Sequence, residues 1–220
     1  MSHHFIDLLE DLKVRLARMS AMVQQTVENA VESVRSLDTA LAHSVIHGDD
    51  RIDGQEINVE TAAINLLARY QPTAGDLRLI FGIVKVNNDF ERIADCAVNI
   101  AQRVLTLNQS PGKGLPTDVR VLSDTVVATL RDTVRAFNLV DETIAQKLLE
   151  SDDVVDALYQ QIVGEIIHQM ESDSATAQPD FAYIMIAKNL ERIADHCTNI
   201  AENVLYVNSG KIFRHRRAVS

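Results

Sequence analysis

Two copies of one acidic signature, separated by an offset of 100 residues, contain the side chains of this chain best suited to chemistry. Residues 91–101 read ERIADCAVNIA and residues 191–201 read ERIADHCTNIA, so eight of eleven positions are identical. A helix places the Glu and the Asp of each copy on one face, about one turn apart. Because paired carboxylates attract cations, the duplication predicts two equivalent cation sites. The four carboxylates are Glu91, Asp95, Glu191 and Asp195.

A second carboxylate pair precedes the first signature and is placed opposite it by the turn between the two helices. This turn centres near Pro72, with Asp53 19 residues before it and Glu91 19 residues after it. Asp49 lies 23 residues before the turn, and Asp95 lies 23 residues after it. Equal arms on an antiparallel helical hairpin bring such residues to the same height. We therefore expect one cluster of four carboxylates in the first copy.

The same register recurs in the second copy. Asp152 and Asp156 precede the second signature, and the midpoint of Asp156 and Glu191 falls at 173–174, within the predicted loop 172–179. Each cluster is expected at one end of its bundle, beside the turn from the first helix to the second. Weaker candidate ligands near the two clusters are Asn99, Asn199, His47 and Glu150.

Clustered carboxylates repel each other, so each cluster needs compensation. A bound cation would supply it, and oxygen-rich donors suit Fe, Mn, Mg or Zn. Solvent and salt bridges from Arg51, Arg92 and Arg192 are the alternative, with the Asp pairs at 49–50 and 152–153 acting as helix caps. The recurrence of two registered pairs in both halves favours metal. A helical wheel puts these pairs on the bundle surface.

Composition narrows the class of protein. The chain has 220 residues, a net charge of −10 and a pI near 5.1, which disfavours nucleic acid and anionic lipid as main partners. Gly and Pro are scarce, which favours long helices over strands. We find no signal peptide and no apolar run of transmembrane length, so we expect a cytoplasmic protein.

The internal duplication organises the whole chain. We predict an all-α protein of two tandem antiparallel three-helix bundles, with the first repeat at 1–109 and the second at 117–210. Residues 110–116 form the predicted linker, and 211–220 form a basic tail that is either solvated or in contact with a partner. The first helix is expected to run from His4 to His47 and to end at Gly48, where the Asp pair starts the second.

Together these motifs resemble the PhoU family of phosphate-signalling regulators, over nearly the whole chain from about Phe5 to His215. The resemblance rests on the duplicated signature, on the Asp-Asp-x-x-Asp segments at 49–53 and 152–156, and on YQPTAGDLR at 70–78. Such a combination is far more specific than a single carboxylate pair.

The chain departs from the family pattern at a few positions. Tyr70 and Gly75 stand where the family has Arg and Ser. Ala94 and Ala194 stand where it often has Gly, an exchange that a helix tolerates.

The resemblance implies two three-helix bundles with multinuclear iron or zinc clusters, and the oxygen donors themselves also suit magnesium or manganese. It also implies negative regulation of phosphate uptake and of the phosphate regulon. The implied partners are a phosphate-sensing histidine kinase and the ATPase subunit of the phosphate ABC transporter, with a homodimer that meets the membrane only through its partners. Carried onto this chain, the ligands would be Asp49, Asp53, Glu91, Asp95, Asp152, Asp156, Glu191 and Asp195, with Asn99 and Asn199 weaker.

Two other functions compete with a metal-binding regulator. A ferritin-like di-iron oxidase needs Glu-x-x-His pairs, but the nearest His after Glu191 is His196, five residues on and on the wrong face. Because no Gly-rich phosphate loop or Ser/His/Asp constellation stands out either, we expect no enzymatic activity. The second alternative is a metal-free helical adaptor whose acidic ends dock a basic partner.

Overall fold

The computed structural model describes residues 3–109, 114–173, 176–211 and 213, except for the side chain of Asp152. Within these residues there are six α-helices and no strand, which confirms the predicted all-α fold. None of these helices combines the length and the apolar character needed to cross a membrane. The helices are α1 (His3–Ser36), α2 (Thr39–Tyr70), α3 (Ala74–Gln109), α4 (Thr117–Leu139), α5 (Glu142–Ser172) and α6 (Ala177–Ser209).

The predicted linker and the basic tail fall largely outside the described residues. The linker predicted at 110–116 separates α3 from α4, but 110–113 are not described. Of the tail, the structure describes Lys211 and Phe213, and Phe213 packs against a small apolar cluster that α4, α5 and α6 form together.

The helices form because apolar residues recur at three- and four-residue spacing and give each helix one face to bury. In α1 this stripe includes Leu9, Leu12, Leu16, Met19 and Val23, all of which are buried. Such stripes from both repeats meet in one continuous core, which holds the polar faces of α2, α3, α5 and α6 in fixed positions.

The break between the first two helices is eleven residues earlier than the sequence predicted. The chain turns at Leu37, which takes a left-handed conformation (φ 52°), and Asp38 caps α2 by accepting hydrogen bonds from the backbone N–H groups of Ala40 and Leu41 at 2.9 and 3.0 Å. The predicted first helix from His4 to His47 was therefore wrong. Gly48 lies inside α2, where one glycine costs only about 1 kcal/mol against the burial of a long helix.

The second repeat breaks in the same way. Val140 takes the left-handed conformation (φ 51°), and the Asp141 side chain accepts from the N–H groups of Thr143 and Ile144. The caps are thus Asp38 and Asp141, so the interpretation of the Asp pairs at 49–50 and 152–153 as helix caps was also wrong.

Because α2 begins at Thr39, the carboxylates lie well inside the helices and not at their ends. Asp49 is the eleventh residue of α2, and Glu91 is the eighteenth of the 36 residues of α3. The clusters therefore lie at mid-height of the bundles, and the prediction that they lie at one end, beside the turn from first to second helix, was wrong.

The two repeats are joined through α3 and α6, which pack side by side at the centre of the molecule. They run antiparallel, since Asp89 contacts His196 while Gly82, earlier in α3, lies against Val207, later in α6. A β-carbon on Gly82 would come within 2.6 Å of Val207 Cγ2, so glycine permits this close approach. Glu91 and Glu191 both lie near the middle of this antiparallel contact between α3 and α6. The two clusters are therefore at the same height.

Candidate metal centre

Antiparallel helices α2 and α3 build the first cluster. α2 contributes Asp49 and Asp53, and α3 contributes Glu91 and Asp95. Burial raises the pKa of Glu91, and the charges of Asp95, on its own helix, and of Asp53, across the hairpin, raise it further. The facing carboxylates are therefore close enough to interact, in the register that the equal hairpin arms predict.

Asp49 has the most perturbed carboxyl group of the first cluster. Burial raises its pKa to about 6, and the charges of Asp53, Asp95 and Asp50 contribute in the same direction. Its Oδ1 atom is buried and accepts no hydrogen bond in the described structure. A buried carboxylate oxygen without a donor is costly, and a cation bound beside it would remove that cost.

One basic and one acidic side chain, Arg92 and Glu56, adjoin the first cluster. Arg92 places Nε 3.2 Å from Glu91 Oε2 and Nη1 3.1 Å from Asp95 Oδ2, although its side chain is half exposed. Glu56 was missed by the sequence analysis. Burial raises its pKa, and the charges of Glu60 and Asp53 raise it further. Its spacing, three residues after Asp53 and seven after Asp49, would have placed it on their helix face.

Helices α5 and α6 build the second cluster from Asp156, Glu191 and Asp195, whose carboxylates each offer one oxygen within 4.8 Å of the others. Oxygens around a single cation lie up to about 4–5 Å apart, given metal–oxygen bonds of about 2.0–2.6 Å. The spacing therefore suits one shared ion. Asp152 lies one turn before Asp156 on α5, with its side chain outside the description.

Partial loss of solvent explains the electrostatics of the second cluster. Desolvation raises the pKa of Asp195, and the charges of Glu191 and Asp156 raise it further, while Lys188 and His196 act in the opposite direction. Like the first cluster, it therefore favours a neighbouring positive charge.

The four weaker candidate ligands occupy different positions relative to the clusters. The ring Nδ1 of His47 hydrogen-bonds the backbone oxygen of His43 at 2.7 Å, on the face of α2 turned away from Asp49. Glu150 is exposed on α5. Asn99 and Asn199 each lie one turn beyond the Asp of their signature, and Asn99 is half-buried whereas Asn199 is exposed.

The chain matches one known protein family over both repeats. The family profile of the PhoU domain matches residues 16–104 and 119–204, one domain for each repeat. The chain belongs to the PhoU family. Membership confirms the resemblance that the acidic signatures indicated.

Known proteins are similar to this chain over nearly its full length. The phosphate-specific transport system accessory protein PhoU homolog of Aquifex aeolicus is 36% identical over 94% of this chain and 94% of its own. The crystal structure of PhoU from Pseudomonas aeruginosa has a TM-score of 0.92 at 33% identity and covers 94% of this chain and 100% of its own. That of the phosphate transport system regulatory protein PhoU from Streptococcus pneumoniae has a TM-score of 0.88 at 26% identity, covering 94% and 98%.

The raised pKa of Asp49 predicts a pH-dependent stability difference between the wild type and Asp49→Asn. Ionisation of Asp49 is easier in the unfolded chain, with a pKa near 3.8, than in the fold, with a pKa of about 6. The stability that this group contributes is thus fully present below pH 3.8 and is lost as pH rises through about 6. We expect the free energy of unfolding of Asp49→Asn, measured by urea denaturation in EDTA, to increase relative to that of the wild type between pH 4 and 7.

The control is Asp7→Asn, which removes one exposed carboxylate from α1, away from both clusters. Its stability relative to wild type should change little over the same pH range. An Asp49→Asn variant that is less stable than wild type at pH 7 in EDTA would contradict this electrostatic account.

Proposed function

We propose that this protein is a metal-binding, non-catalytic regulator of phosphate uptake and phosphate-responsive signalling. It would act as a negative regulator, accessory to the phosphate ABC transporter and its sensor kinase. The main support is the equivalent carboxylate cluster in each repeat, together with relatives named as accessory or regulatory proteins of phosphate transport. The proposed partners are the transporter ATPase and the phosphate-sensing histidine kinase, and the proposed state is a cytoplasmic homodimer.

The donor sets fit a hard or borderline cation. The described side chains of both clusters offer carboxylate oxygens, which suit iron, manganese and magnesium, and zinc also accepts such ligands. The unpartnered oxygen of Asp49 is the structural feature that most favours an ion in the first cluster. Asp49, Asp53, Glu91 and Asp95 would hold metal there, and Asp156, Glu191 and Asp195, with Asp152, would hold it in the second repeat.

The metal would supply positive charge that offsets the repulsion within each cluster and joins the two helices that build it. Histidine is absent from the described side chains of either cluster, and His196 instead contacts Asp89 at 3.0 Å between the repeats. The arrangement thus lacks the Glu-x-x-His ligands of di-iron oxidases, which supports a regulatory role over catalysis.

A metal-free adaptor remains the second candidate function. Asp53 and Asp195 are exposed, and the chain has a net charge of −10, so the same surface could dock a basic partner directly. Such an adaptor and a metal-binding regulator differ in the metal content of the isolated protein.

Metal analysis separates these two functions. Protein purified without chelator should carry iron, zinc or manganese, as measured by inductively coupled plasma mass spectrometry. Changing Asp53, Asp95, Asp156 and Asp195 together to Asn should remove most of that metal, because it takes two charged ligands from each cluster. The control is a variant with Asp7 and Asp132, both exposed and away from the clusters, changed to Asn. Unchanged metal content in the four-site variant would rule out the clusters as metal sites.

Gene deletion tests the regulatory role. In high phosphate, deletion should derepress the phosphate-uptake genes, as measured by their transcript levels, because a negative regulator is lost. Wild-type protein supplied in trans should restore repression, and the four-site Asn variant should not if metal is needed. Transcript levels that are the same with and without the gene would count against the proposal.

A further inference from the structure

The two clusters differ at two equivalent positions. The duplication relates α2 to α5 by an offset of 103 residues and α3 to α6 by 100, so Glu56 corresponds to Tyr159 and Asn88 corresponds to Lys188. Each of these positions is three residues from a cluster carboxylate, one helical turn away. The two replacements alone make the second cluster two formal charges more positive than the first.

Lys188 is held in place by groups of the second cluster. Its Nζ donates to Glu191 Oε2 at 2.7 Å and lies 5.2 Å from the centroid of the Tyr159 ring. A carboxylate and an aromatic face together favour an ammonium group at this point. Desolvation is the main cause of the raised pKa of Asp195. The positive charge of Lys188 acts in the opposite direction and lowers that pKa. The second cluster therefore contains a cation supplied by the chain itself.

The first cluster has no such lysine. Asn88 is neutral and exposed, and Glu56 adds a carboxylate where the second repeat has the Tyr159 ring. Asp49 retains its buried, unpartnered oxygen. The first cluster also has a cation supplied by the chain, since Arg92 pairs with Glu91 at 3.2 Å and with Asp95 at 3.1 Å, although its side chain is half exposed. Arginine occupies the equivalent position, 192, in the second repeat, so the two arginines cancel in the comparison of formal charge.

We propose that the clusters are unequal cation sites: the first repeat holds the primary divalent-cation site, and Lys188 acts in the second as an internal counter-ion that a metal ion must displace. This inference rests on the proposed metal-binding function and adds an order of loading to it. Displacing Lys188 breaks its bond to Glu191 and leaves an ammonium beside a divalent ion, both of which weaken binding. Lys188, with Tyr159, thus determines the affinity of the second site.

The test measures each cluster separately in the full-length protein. Metal is first removed with a chelator, and the protein is then titrated with Mn²⁺ while the free ion is followed by electron paramagnetic resonance. Asp156→Asn with Asp195→Asn leaves the first cluster intact, and Asp53→Asn with Asp95→Asn leaves the second. The first should half-saturate at a Mn²⁺ concentration at least about tenfold below the second, which corresponds to about 1.4 kcal/mol.

Charge exchange then assigns the difference to the lysine. With the first cluster blocked, Lys188→Asn should lower the half-saturating Mn²⁺ concentration of the second by about tenfold, and Lys188→Arg should leave it high. Lys147→Asn, which removes one exposed lysine from α5, the helix that carries Tyr159, is the control and should have little effect. With the second cluster blocked, Asn88→Lys combined with Glu56→Tyr should weaken the first.

The outcomes separate the ranking from the underlying function. Equal affinities of the two clusters, or a Lys188→Asn variant that binds no tighter than Lys147→Asn, would overturn the ranking while leaving metal binding in place. Failure of the wild-type protein and of every variant to bind Mn²⁺ would overturn the ranking together with Mn²⁺ binding by the clusters.

Discussion

Repulsion between carboxylates that cannot move apart is the constraint on which the candidate site depends. Asp49 and Asp53 project from α2 against Glu91 and Asp95 of α3, and both helices are held by one buried core. An isolated helix would separate such charges by fraying, but residues at the middle of helices of 32 and 36 residues cannot. The fold therefore keeps a concentrated negative charge in place, which is the condition for selective attraction of a cation.

The junction of α3 and α6 makes the two clusters parts of one structure. Buried contacts such as Gly82 against Val207, and the partly buried pair of Asp89 and His196, fix these helices at the centre. Because both helices also carry cluster carboxylates, a change of charge in one repeat acts on a helix that packs directly against the other repeat.

Much of this arrangement could be predicted from the sequence because it depends on local periodicity and on duplication. The 100-residue repeat led to six helices, and equal hairpin arms led to the register of Asp53 with Glu91. The break at Leu37 could not be found in the same way, since a leucine in the left-handed conformation has no sequence signal and Gly48 has a misleading one. The pairing of Lys188 with Tyr159 depends on a contact between two helices, which spacing within either helix does not indicate.

Anomalous diffraction from crystals of the protein as purified, collected at the absorption edge of the metal found in it, tests the central claim most directly. The account predicts anomalous peaks about 2.0–2.6 Å from carboxylate oxygens of Asp49, Asp53, Glu91 and Asp95, and a weaker peak or none beside Asp156, Glu191 and Asp195. Metal-containing crystals with no peak at either cluster, and with the carboxylates of the first cluster neutralised by Arg92 alone, would contradict it.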